Sequence, residues 1–221
     1  MSNDQALQSL VIDELAWDPK FDAAHIGVVA KDGVVTLTGF VESFAAKRDA
    51  EQAAGRVRGV KAIAEEIEVR LPNDRRRSDD EIAGRAVDIL TWDTQIPHEK
   101  LRVKVEHGVV TLTGDVGFQY QKAEAETDVR RLNGVRGVVN LIRVLPMPGT
   151  SAKPDVVQGK IEQALRRNAE VEASHIRVDV QNGKVTLRGH VQGWQERHVA
   201  ENAAWAAPGV VEVVDELRIE P

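Results

Sequence analysis

Lys100, Arg102 and Lys104 alternate with Leu101, Val103 and Val105, so a strand that buries the apolar residues sets three cations in a row on its outward face. Such a row could attract an anionic lipid surface or an acidic partner, and Arg75-Arg76-Arg77 lies upstream of it. Trp194 and Trp205 form a second candidate: they stand eleven residues apart, which at about 100° per residue brings both rings onto one helical stripe. That stripe is well away from the small residues Ala200, Ala204 and Ala207, and polar Gln119 and Arg130 fill the same columns 75 residues earlier. The two rings could therefore meet another part of the chain, a partner or a lipid surface, with packing inside their own unit as the plainer alternative.

Other reactive side chains do not assemble into a site. Lys47 and Glu51, Lys122 and Glu126, and Arg197 and Glu201 repeat four residues apart, the spacing of exposed helical ion pairs worth about 0.3–0.5 kcal/mol each. The six histidines include no helical pair beside a carboxylate, and His25 and His175, with Lys100 between them in the same column, read as solvated outward positions. Cysteine is absent, no Gly-Lys-Ser/Thr loop follows the glycines, and no nucleophile-elbow phrase occurs. No catalytic, cofactor-binding or metal-binding residue is assigned, and the chain is read as a non-enzyme without a cofactor.

The elements that carry these residues are written three times. Gly33–Val41 reads GVVTLTGFV, Gly108–Val116 GVVTLTGDV and Gly183–Val191 GKVTLRGHV, in register every 75 residues. Each unit opens with apolar residues at i, i+4 and i+8 (Leu7, Val11, Leu15; Ile82, Ala86, Leu90; Val157, Ile161, Leu165), which predicts a first helix ending near Trp17, Trp92 and Arg167. Ser2 and Ser78 precede Gln5 and Glu81 by three residues as capping boxes do, and Pro154 suits a first turn. Alternation at Ile26, Val28, Ala30 and its copies predicts a strand, Asp32-Gly33 and Asn182-Gly183 a tight hairpin, and Val60–Val69 and its copies a third strand after an alanine-rich second helix that stops at Gly59, Gly134 or Pro208-Gly209. Trp17 and Trp92 are expected to seal the corner between first helix and first strand.

The expected fold class is α+β: three tandem α-β-β-α-β units, at residues 1–72, 78–146 and 154–221, each a three-stranded sheet covered on one face by two helices with the other face open. Linkers fall at Asn73–Ser78 and Met147–Asp155. Charge divides as −4, 0 and −2 over residues 1–75, 76–150 and 151–221, and the net of −6 argues against a nucleic-acid binder. Apolar runs are too short to span a bilayer, and the amino terminus is not of secretory type, so the compartment read is the cytoplasm, or the periplasm if a leader has been removed.

The G-x-V-x-L-x-G-x-V phrase, Asp18, Asp93 or Asn168 after the first helix, the alanine-rich second helix and the Gly-Val column at Gly59, Gly134 and Gly209 together resemble the BON domain, a bacterial module of osmotically induced, transport-associated and envelope-associated proteins. The resemblance implies an α-β-β-α-β fold and a non-enzymatic role, with phospholipid contact or stress-related adaptor function foremost. Three copies stand where two are frequent, and the export signal of periplasmic members is not seen. The partners expected are an anionic phospholipid surface or a protein, and homo-oligomers are compatible with the open sheet faces. Alternative readings are a self-assembling scaffold, or a sensor of small ions such as potassium or of osmolytes. Lys100, Arg102, Lys104, Trp194 and Trp205 are the candidate contact residues.

Overall fold

The computed structural model describes residues 3–145, 153–168 and 171–220; Ser2 and most of the Met147–Asp155 linker lie outside them. Repeat 1 consists of α1 (Asn3–Trp17), β1 (Ile26–Lys31), β2 (Val34–Val41), α2 (Phe44–Arg56) and β3 (Ala62–Val69). Repeat 2 follows with α3 (Asp79–Trp92), β4 (Leu101–Glu106), β5 (Val109–Val116), α4 (Gln119–Arg130) and β6 (Gly137–Val144), and repeat 3 with α5 (Pro154–Arg167), β7 (Ile176–Gln181), β8 (Lys184–Val191), α6 (Trp194–Trp205) and β9 (Glu212–Ile219). Each sheet is mixed: the middle strand pairs antiparallel with its hairpin partner and parallel with the strand that returns after the second helix.

Alternation decides which side chains are buried. Val35 and Leu37 on β2 face inward with no exposure, against Val11 of α1 and Ala50 and Ala54 of α2, and the same columns recur in the other two cores. Small residues on the second helix let its backbone approach the sheet closely. The hairpins turn through left-handed pairs, Asp32-Gly33, His107-Gly108 and Asn182-Gly183. In repeats 1 and 2 an aspartate of the first helix holds that turn, Asp4 accepting from the Asp32 N–H at 2.9 Å and Asp79 from the His107 and Gly108 N–H groups at 2.8 and 2.9 Å. Pro154 occupies the column in repeat 3.

Gly39, Gly114 and Gly189 are required by contact. All three have positive φ, and a Cβ on any of them would lie 1.9–2.1 Å from the carbonyl oxygen of His25, Lys100 or His175. Those carbonyls close short 3-10 turns, Ala23–His25, His98–Lys100 and Ala173–His175, that lead into the first strands and that the sequence pattern did not reveal.

Three expectations are corrected. The second helices end at Arg56, Arg130 and Trp205 and the third strands begin at Ala62, Gly137 and Glu212, because the chain first turns beneath the hairpin, where the N–H groups of Lys61, Arg136 and Val211 bond the carbonyls of Gly33, Gly108 and Gly183 at 2.8 Å. Trp17 and Trp92 are 84% and 85% exposed; the corner they were to seal is filled from the column of Phe21, Ile96 and Val171, which pack on the three cores. In repeats 1 and 3 the helical cation turns to the third strand instead. Lys47 reaches Glu65 on β3 at 2.7 Å and Arg197 reaches Asp215 on β9, while Glu51 pairs with Arg48 at 2.5 Å and Glu201 accepts from the Trp205 indole. A cross-layer partner wins because the third strand offers a half-buried carboxylate where salt and water screen less.

These same groups finish the outer edge of the sheet. Glu65, Asn140 and Asp215 each accept the N–H two residues on, that of Ile67, Ile142 or Leu217, and Lys47 donates to the Ile67 carbonyl at 2.6 Å. Those backbone groups of the third-strand edge are thereby unavailable to another strand.

Substituting Gly114 by Ala sets a methyl group against the Lys100 carbonyl and strains a positive-φ site, which is expected to cost about 2–4 kcal/mol. Urea unfolding of the full chain should show an early transition; an unchanged profile would contradict the close contact.

Candidate binding surface

Sheet register determines which residues share each open face. In repeat 2, Arg102 and Lys104 on β4 stand beside Thr113 and Thr111 of β5, which stand beside Leu141 and Val139 of β6. Lys100 continues the row as the last residue of its 3-10 turn, so two of the three cations lie on the strand proper. All three are exposed. Lys104 contacts Glu106 at 2.9 Å; Lys100 and Arg102 have no ion-pair partner among the described residues. Beside the cations, Leu141 is 58% exposed, and Val109 and Val139 are also open to solvent.

The other faces differ. Repeat 3 tiles its surface with cross-strand ion pairs, Lys184 to Glu212 and Arg188 to Glu216, each at 2.7 Å. Repeat 1 carries Glu66 and Glu68 on β3 beside exposed Val29 and Val34.

Trp194 and Trp205 lie elsewhere. Trp194 opens α6 and its ring covers Gly55 of α2, where a Cβ would come within 2.9 Å of it; the Arg197 guanidinium sits 5.6 Å from the ring centre. Trp205 closes α6 and packs on the cores of repeats 3 and 2 together, while Phe44 of α2 also packs on the core of repeat 2. Thus the second helices join the units, and the two tryptophans are half-buried between repeats rather than gathered with Lys100, Arg102 and Lys104. The single column of positions 55, 130 and 205 holds Gly, Arg and Trp in the three copies, a divergence that marks the junction.

Two side-chain groupings escaped sequence reasoning. At one corner of the open face His25 stacks on Phe40 at 4.4 Å with Arg70 over the same ring at 4.5 Å, and in repeat 3 His175 stacks on His190 at 4.1 Å. Fifteen residues separate each stacked pair, a relation visible only once hairpin register is known. The other is Asp93, Glu124 and Asp128, whose carboxylate oxygens lie within 4.8 Å of one another; of the described residues they are the group that could hold a hard cation such as calcium.

Electrostatics separates that corner from its copy in repeat 1. Burial at Asp18 opposes ionisation, but hydrogen bonds from the Lys20 N–H and the Arg56 guanidinium, both 3.1 Å, outweigh it and hold the carboxyl below its ordinary range. At Asp128 burial raises the pKa, and Asp93 and Glu124 raise it further against a partial offset by Arg131. A groove of about 520 Å³ between the start of α1 and the β1–β2 turn is lined by Arg58, Lys61 and Leu10, with Asp4 and Asp32 tied to each other.

What the geometry defines is a tandem-repeat protein of small two-layer units whose second helices are joined and whose sheet faces are turned outward. The chain belongs to the BON domain family, whose model matches residues 3–70, 78–146 and 155–221, a family without known catalytic activity. It is 30% identical over 147 residues to osmotically-inducible protein Y of Escherichia coli strain K12, covering 62% of this chain and 71% of that protein. Among solved structures it resembles CdsD, a structural protein of the type III secretion system of Chlamydia trachomatis, with 13% identity over 98% of this chain and 93% of the other, and the C-terminal domain of CdsD, with 14% identity over 97% and 98%. Both TM-scores are 0.27, too low to bear on the arrangement of the repeats. No helix among the described residues is long and apolar enough to cross a membrane.

Because the Asp128 pKa is raised in the folded state, the stability it contributes is complete below the ordinary aspartate value near 3.9 and is lost as pH rises through the folded value. Asp128→Asn should therefore raise the melting temperature at pH 7, and the gain should vanish below about pH 4. An equal gain at both pH values would show that charge is not the cause.

Proposed function

We propose that the chain is a non-enzymatic binding module that rests on anionic phospholipid surfaces through the open sheet face of repeat 2, as part of a response to osmotic stress. The observation that carries this reading is the pairing, on one face, of Lys100 and Arg102, which have no ion-pair partner among the described residues, with the exposed side chains of Leu141 and Val139. Cations draw the face to anionic headgroups at about 1 kcal/mol each, and the apolar row gives it something to bury on arrival. Only the cytoplasmic leaflet's negative potential is needed to orient it, which favours action from that side. The osmotic part of the reading rests on the name of the Escherichia coli relative. Three cations give weak attachment, screened beyond about 10 Å at 0.1 M salt, so contact is reversible and ionic-strength dependent, a useful property for a protein acting when ion concentrations change.

Sedimentation of the full chain at 1 µM with phosphatidylglycerol-containing vesicles should show binding at about 20 mM salt that is lost by about 300 mM, and none to phosphatidylcholine alone. Replacing Lys100 and Arg102 together by Ala should weaken binding about 30-fold, the equivalent of two headgroup contacts. Absence of binding at low salt, or a variant that binds as tightly as the parent, would leave a protein partner as the ligand of this face.

A further inference from the structure

The open faces of repeats 1 and 2 have the same size and register but different residues, and their patterns are complementary. Two such sheets pack aligned when one is turned over about its strand axis, about 10 Å apart. That operation lays β2 of one copy parallel to β5 of another, β3 over β4, and β1 over β6. From the ladder registers, Glu66 is level with Thr38 and Arg102 with Thr113, so the two meet, and Glu68 comes to Lys100. On the opposite flank Val29 meets Val139, and Leu141, the most exposed apolar residue of its face, comes over Gly27, which the Thr38 side chain overhangs. Along the centre, Val34 falls on Val109.

We propose that the open face of repeat 1 on one copy of this chain docks on the open face of repeat 2 on a second copy. Charge complementarity selects this pairing over its alternatives. Two repeat 2 faces brought together the same way would set Lys100 against Arg143, and repeat 3 would set Arg218 against Lys100 and holds Glu216 in a pair with Arg188; on repeat 1 Glu68 is shared with Arg70 at 2.9 Å, while Glu66 has no ion-pair partner among the described residues. Within a single chain the two faces do not cover each other, since Val29 and Leu141 are both 58% exposed. Along the third-strand edge Glu65, Lys47 and Asn140 cap backbone groups that an added strand would need, which hinders strand addition there.

Different patches on the two copies make the contact heterologous, so copies add head to tail or close by reciprocal exchange. Three strands about 4.8 Å apart and about 26 Å long bury roughly 700 Å² in total, below the roughly 1,200 Å² of a stable pair. A single contact therefore forms at high protein concentration, and crowding of copies favours it. The inference does not rest on the lipid reading, although Lys100 and Arg102 cannot serve both partners at once.

Analytical ultracentrifugation of the full chain without lipid, from about 5 µM to about 1 mM at low salt, tests it. The average mass should rise above 24.3 kDa with concentration and fall back on adding salt. The double variants Glu66→Lys with Glu68→Lys, and Lys100→Glu with Arg102→Glu, should each weaken association at least about tenfold, and an equimolar mixture of the two should restore it, because each then offers the other an opposite face. A strict monomer at the highest concentration, variants that associate like the parent, or a mixture that fails to recover would overturn the proposal. Vesicle sedimentation at 1 µM, where copies are apart, reads the lipid function separately.

Discussion

A three-stranded sheet has two faces, and each repeat supplies only enough helix to cover one of them. This constraint orders the molecule. The covered face takes valine, leucine and isoleucine at every second position against Leu, Val and Ile of the first helix and alanines of the second. The uncovered face is free of core demands, so its residues diverge among copies whose cores hardly differ. Glu66 and Glu68, Arg102 and Lys104, and the matched pairs of β8 and β9 occupy equivalent surfaces of one scaffold. Divergence outside an unchanged core is the physical form that specialisation takes here.

Much of this was legible in the sequence because period two and period 3.6 are set by backbone geometry. The ends of the first helices fall at Trp17, Trp92 and Arg167 as expected, and the hairpins turn at the predicted dipeptides. What stayed hidden depends on relations between elements. Trp17 looked like a corner seal because it is large and apolar, but the residue that reaches the corner is Phe21, four positions on, past a turn made by Asp18. Lys47 looked like a partner for Glu51 until the third strand placed Glu65 nearer. For the candidate surface, alternation alone was sufficient to bring out Arg102 and Lys104, whereas their apolar companions Val139 and Leu141 required the parallel register of β5 and β6.

The edges and the faces of these sheets are managed differently. Side chains from the second helix and from the third strand itself satisfy backbone groups of that strand, which hinders strand addition along that edge. Faces carry no such guard, and recognition is left to side-chain charge and apolar area. Such contacts are individually small and responsive to salt, in contrast with the buried cores, whose packing is indifferent to it.

Trp194 seated on Gly55 links the third repeat to the first across 139 positions of chain. During synthesis the opening repeat can collapse around its own core as soon as it emerges, yet the flank of its second helix stays wet until α6 has also emerged. A chain interrupted before α6 would leave that alanine- and glycine-lined flank open to water, so the contact ties burial of the first repeat's second helix to synthesis of the third repeat.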